Sequence, residues 1–215
     1  MGKSAPAFLM DWRSPWALSF ASYAAMRTRL STEPLDPHVR AVVYDAEGRP
    51  LTPLAEQREP AHYTALAVAL VRRRHLLLDA TPATDLVTVT WPRATKKYPA
   101  FLRLGIAQQI ARYADLYEIQ ARGSEANRDL YRHFVAAATA QAREGNSAVD
   151  VLLGVSTNLT GHFVSAQTRY QDVPATRRLV SGYWLNIPGA SVYCPTCGSG
   201  TPHVGSELLA LLSGS

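Results

Sequence analysis

The chain has 215 residues, 47% hydrophobic and 18% charged, enough for one well-packed globular domain, and no run approaches the roughly 20 apolar residues a membrane helix needs. The net charge of +5 comes with only short basic clusters, Arg72–Arg74, Lys96–Lys97 and Arg177–Arg178, each near the end of an expected helix, where cations suit the dipole. No basic stripe interleaved with aromatics occurs, so neither a nucleic acid nor a membrane is expected as a partner.

The first sixteen residues, MGKSAPAFLMDWRSPW, carry no export signal, because Asp11 and Arg13 interrupt the apolar stretch. A cytoplasmic chain is expected; a secreted one with its signal already removed would read the same. Within this stretch PAFLMDW (6–12) is strand-like, and WALSFASYAAMRTRL (16–30) reads as a helix. VRAVVYDAE (39–47) is a second strand, followed by a Pro-rich loop and a helix over AHYTALAVALVRRR (61–74). HLLLDAT (75–81) is a third strand, and LVTVTWP (86–92) is either a fourth or an ordered loop. YPAFLRLGIAQQIARYA (98–114) repeats Leu102, Ile106, Ile110 and Tyr113 at helical spacing.

DLYEIQAR (115–122) is again a strand, and SEANRDLYRHFVAAATAQAREG (124–145) is a helix that Gly145 ends. VDVLLGVSTN (149–158) is a strand. A helix over VPATRRLV (173–180) starts near Pro174, GYWLNIP (182–188) is the last strand, and GSELLALL (205–212) closes as a short helix. Alternating β and α units imply parallel strands with helices outside. The expected fold is α/β, a single (β/α) barrel-like domain over 1–215: a TIM-like barrel that is small, incomplete or distorted, since eight full units take about 250 residues. An open doubly wound sheet is the alternative, although no G-x-G-x-x-G or Walker-type glycine loop occurs.

Strand parity then divides the residues. One face carries Leu9 and Asp11; Val43, Asp45 and Glu47; Leu77, Asp79 and Thr81; Glu118, Gln120 and Arg122; Gly154, Ser156 and Asn158; Gly182, Trp184 and Asn186. The opposite faces stay mostly apolar. In all six strands the first face turns polar toward the C-terminal end, where barrel enzymes gather their chemistry. Polar residues at strand ends also cap helices and anchor turns, and Asp11, Asp79 and Asn158 each suit that role. Glu118 and Gln120 suit it least.

The pattern predicts a polar pocket. Its candidate catalytic acids are Glu118, Asp45, Glu47 and Asp11, since carboxylates held close push their pKa values apart and divide into acid and base. Gln120, Asn158, Trp184, Asn186, Asp79, Ser156, Arg122 and Trp12 are the candidate substrate contacts, with the tryptophans as stacking surfaces. FLMDW and VVYDAE resemble the strand-end acid motifs of TIM-barrel glycoside hydrolases. That resemblance implies hydrolysis of a glycoside or similar polar linkage by carboxylate acid/base catalysis, on a small-molecule or carbohydrate substrate. The same groups would serve a cofactor-independent lyase, isomerase or cyclase with Glu118 as base, or a non-catalytic ligand-binding barrel.

No cofactor or metal is called for. Cys194 and Cys197, in YCPTCG, read as a local disulfide or two thiols; a closed zinc site wants four ligands, and only His203 is near in sequence to add a third. His62 and His133 fall on helices as surface residues, and His162 follows a strand end.

Overall fold

A computed structural model describes residues 15–48, 50–157, 165–187, 189 and 200–214. The expected strand at 6–12, with Asp11 and Trp12, lies outside them, as do Asn158, His162, Cys194 and Cys197.

Six strands form one sheet in the order β1-β2-β3-β4-β5-β6, every neighbouring pair parallel. They are β1 (Trp16–Phe20), β2 (Val39–Tyr44), β3 (Leu77–Ala80), β4 (Leu116–Ile119), β5 (Asp150–Ser156) and β6 (Gly182–Asn186). The helices are α1 (Tyr23–Thr32), α2 (Leu54–Arg58), α3 (Pro60–Arg72), α4 (Val87–Thr90), α5 (Lys97–Arg103), α6 (Ile106–Ala111), α7 (Arg128–Gly145), α8 (Ala166–Thr176) and α9 (Pro202–Ser213). Among the described residues strand order follows chain order with no reversal and no switch point at which the winding changes direction, so these strands do not form the doubly wound alternative. Right-handed crossovers that always advance the same way put the helices that connect these strands on the same side of the sheet. The result is a six-stranded parallel half-barrel.

Packing follows that geometry. Val42, Tyr44, Leu78, Ala80, Tyr117, Ile119, Val151, Leu153 and Val155 face the helices and are buried against them. The longest helix, α7, contributes Tyr131, Phe134, Val135 and Ala138 from one stripe, and Asn127 caps it by accepting from Leu130 N–H. The alternate residues of the strands are left to the other face, among them Val43, Asp79, Glu118, Gly154 and Trp184.

Four elements differ from expectation. WALSF opens as strand β1, not as helix: Trp16, Leu18 and Phe20 alternate toward the core while Ala17 and Ser19 are exposed, a period of two. The helix proper starts at Tyr23, after Ser22 accepts from Ala25 N–H. The expected helix over 98–114 is two, α5 and α6, broken by Gly105 at φ 63°. LVTVTWP is neither strand nor loop; a 3-10 turn (Thr84–Leu86) runs into α4. Finally, α8 begins at Ala166 on a Ser165 cap and contains Pro174 in its last turns instead of starting there.

Candidate functional site

The polar ends of β2, β3 and β4 converge on the face away from the crossover helices. Glu118 is the penultimate residue of β4 and Asp79 lies inside β3. Asp45, Gln120 and Arg122 follow their strands on the loops just beyond. Backbone pairing continues past the strand ends, with Thr81 N–H donating to the Tyr44 carbonyl and Ala83 N–H to Ala46, so these loops are held in register with the sheet.

A relay of hydrogen bonds ties the three loops together. Gln120 Nε2 donates to Asp45 Oδ1 (2.8 Å) and to the Thr81 carbonyl (2.7 Å), and Thr81 Oγ1 donates to the same Asp45 oxygen at 3.1 Å. Arg122 Nη2 donates to Gln120 Oε1 at 2.6 Å, which fixes the amide so that its nitrogen points at the carboxylate. Asp45 is therefore oriented from two neighbouring strands.

Beside this relay stand two buried acids. Asp79 is 3% and Glu118 4% exposed, and Asp79 Oδ1 and Glu118 Oε1 make no hydrogen bond. Burial, then the charge of Asp45, pushes the Asp79 carboxyl up to about 7. Burial also pushes Glu118 up to about 8; the Arg122 cation opposes this, and Asp79 and Asp45 add to it. The charges that Glu118 feels thus come from residues of three loops and strands far apart in sequence. Gly154 makes room for it: a Cβ there would meet Glu118 Oε1 at 2.5 Å. The carboxylate lies over β5, one strand from half-buried Trp184, which pairs with Gly154.

Glu47 follows Asp45 by two residues, and its N–H donates to Thr52 Oγ1, which in turn donates to the Ala21 carbonyl. Ser156 ends β5 opposite Asn186 of β6. Among the described residues, no group of three or more His, Cys, Asp or Glu side chains is placed to hold a metal ion. His62 and His133 are exposed on α3 and α7.

A second buried charge cluster adjoins the β5 end and had no signal in the sequence. Glu125, just before α7, accepts from Ser156 N–H at 3.1 Å and pairs with Arg169 of α8 at 3.3 Å. The Arg169 Nε–H also donates to the Ser156 carbonyl, while its two terminal nitrogens make no hydrogen bond. Burial pushes Glu125 up to about 8 against the pull of Arg169. Arg128 holds Asp172 from the solvent side at 3.4 Å. These partners stand 13 to 44 residues apart, and helical periodicity alone assigns Arg169 no burial. Thr81 and Gly154 were visible on the polar face, but their roles, a donor to Asp45 and a space for Glu118, depend on register.

No helix among the described residues is long and apolar enough to cross a membrane. No known family model matches the chain, and no curated protein matches it.

Proposed function

We propose that the half-barrel carries the active site of a (β/α) barrel-type hydrolase, which cleaves a glycoside or similar polar linkage with Glu118 as general acid and Asp45 as base or nucleophile. One observation carries the reading: two buried acids, each with an unpaired oxygen, sit in the field of a third that a relay of donors orients. An acid titrating near 8 keeps its proton at neutral pH and can give it to a leaving oxygen. Asp45, held by Gln120 and Thr81, is the second carboxylate such a reaction needs, and Trp184, paired with Gly154 across β5 and β6, offers an aromatic surface on the same face for a sugar ring.

The raised acids also suit a second reading, a cofactor-independent lyase, isomerase or cyclase, because a carboxyl poised near 7 to 8 is matched to abstracting a proton at neutral pH. Turnover of a panel of aryl glycosides by wild type, Glu118→Gln and Asp45→Asn decides. Hydrolysis predicts a loss of about 100-fold or more in each variant with ligand binding retained. Aryl glycosides with good leaving groups should partly restore Glu118→Gln, since they need less proton donation. No turnover of any glycoside by the wild type rejects hydrolysis. Turnover that is equal in all three proteins rejects this choice of acids.

A further inference from the structure

Away from the carboxylates, a cleft of about 610 Å³ opens in the connection from β3 to α5. It lies at the same end of the sheet: Asp85 in this connection accepts from Gly48 N–H beyond β2, and Tyr98 in α5 donates to the Ala121 carbonyl beyond β4. Its volume is within the range of small-ligand sites, about 300–1,000 Å³.

The lining has a single charge sign. Arg93, Lys96 and Arg103 contribute three cations, and no Asp or Glu lines the cleft. All three are exposed, and none takes part in an ion pair among the described residues. Like charges gathered without a counter-ion repel one another, and an anion would relieve that. The rest of the lining is mostly apolar, with Trp91, Pro92, Ala94, Pro99 and Ala100 beside the hydroxyls of Thr90 and Thr95. The Arg103 guanidinium lies 5.7 Å from the Trp91 ring centre. A guanidinium stacked in this way uses its face on the indole and keeps its in-plane N–H groups for an oxyanion.

We propose that this cleft is a second ligand site and takes an acidic sugar unit, a ring bearing a carboxylate or a sulfate. The inference rests on the glycan-directed reading above and names the charge class of its substrate. The cations grip the anionic group, the apolar floor meets the ring, and the chain extends along the same rim toward Glu118.

The test is calorimetric titration of the full chain with three trisaccharides: trigalacturonate, a sulfated galactotriose and neutral galactotriose, with inorganic sulfate as a fourth probe. At low salt at least one acidic trimer should bind 10-fold or more tightly than the neutral one, and the acidic trimer that wins identifies the anionic group. Raising the salt should erode that advantage. A variant carrying Arg93→Gln, Lys96→Gln and Arg103→Gln should lose it, whereas Glu118→Gln should keep it. Equal affinity for acidic and neutral trimers overturns the proposal, and so does an advantage that survives the triple substitution. Inorganic sulfate binding as tightly as the trimers removes the sugar from it. If the acidic advantage appears as stated but no trimer is cleaved, the cleft stands and hydrolysis falls.

Discussion

At the scale of single residues, the site depends on one missing side chain. Glu118 can lie over β5 only because residue 154 is glycine; its Cβ would stand 2.5 Å from Glu118 Oε1. The obstructed atom is the end of a flexible side chain, so Gly154→Ala should displace the carboxylate and leave the backbone in place. A shift of about 1 Å at a reacting group costs on the order of 100-fold in rate. The expected result is turnover reduced at least about 10-fold, with stability changed by less than about 1 kcal/mol. Steady-state kinetics beside a thermal melt checks both; full turnover would remove Glu118 from the chemistry. Strand parity made this face legible, since Asp79, Glu118 and Gly154 all fall on it. What it left open was which acids meet. Asp45, Gln120 and Arg122 lie past the ends of regular strands, where period two no longer fixes direction, and their relay depends on three loops meeting.

Elements are held in place by buried polar groups that reach across long sequence separations. Glu56 of α2 receives Tyr23 N–H at 2.7 Å and Ala24 N–H at 3.3 Å, the orphan donors at the start of α1, and also the Tyr44 hydroxyl at 2.7 Å. Glu56→Ala removes both acceptor oxygens of these three hydrogen bonds and leaves the Tyr44 hydroxyl buried without this partner, so unfolding free energy should fall by about 2–3 kcal/mol. Urea denaturation reads the loss, and a drop below about 0.5 kcal/mol would mean that water replaces the carboxylate. Arg169 docks α8 onto β5 in a similar way, through the Ser156 carbonyl and Glu125. Arg169→Leu should cost about 1–3 kcal/mol, because it strands the buried Ser156 carbonyl and the Glu125 carboxyl without their donor. Adding Glu125→Gln should recover part of that loss, and a double variant no more stable than the single would mean that Glu125 is not the stranded group. Elements with a clear single period, β2, β3, β5 and α7, were legible in the sequence. WALSF was not, because five alternating residues run straight into a helical pattern, and the break at Gly105 was masked by apolar residues that keep helical spacing on both sides of it.

For the whole molecule, the sequential sheet segregates charge as well as topology. The face away from the crossover helices receives Asp79 and Glu118, and together with Glu125 beside the end of β5 they set how stability varies with pH. Asp79 is raised to about 7, and Glu118 and Glu125 to about 8, whereas in the unfolded chain such groups ionise near about 4. Between those limits the native state binds more protons than the unfolded one, so the slope of unfolding free energy with pH is negative. The contribution of these three acids is complete below about pH 4 and is lost as the pH rises through 7 to 8. Asp36, held low by His38, works the other way but is exposed and paired only with its loop neighbour. Urea midpoints measured at pH 5.0, 6.5 and 8.0 should therefore fall steadily. Glu118→Gln, which places a neutral amide where the native state prefers a neutral acid, should flatten that decline and gain most over wild type at pH 8.0. A wild-type midpoint that rises from pH 5.0 to 8.0 would mean that these carboxylates are ionised and solvated in the native protein, and the proton that Glu118 is proposed to donate would not be there.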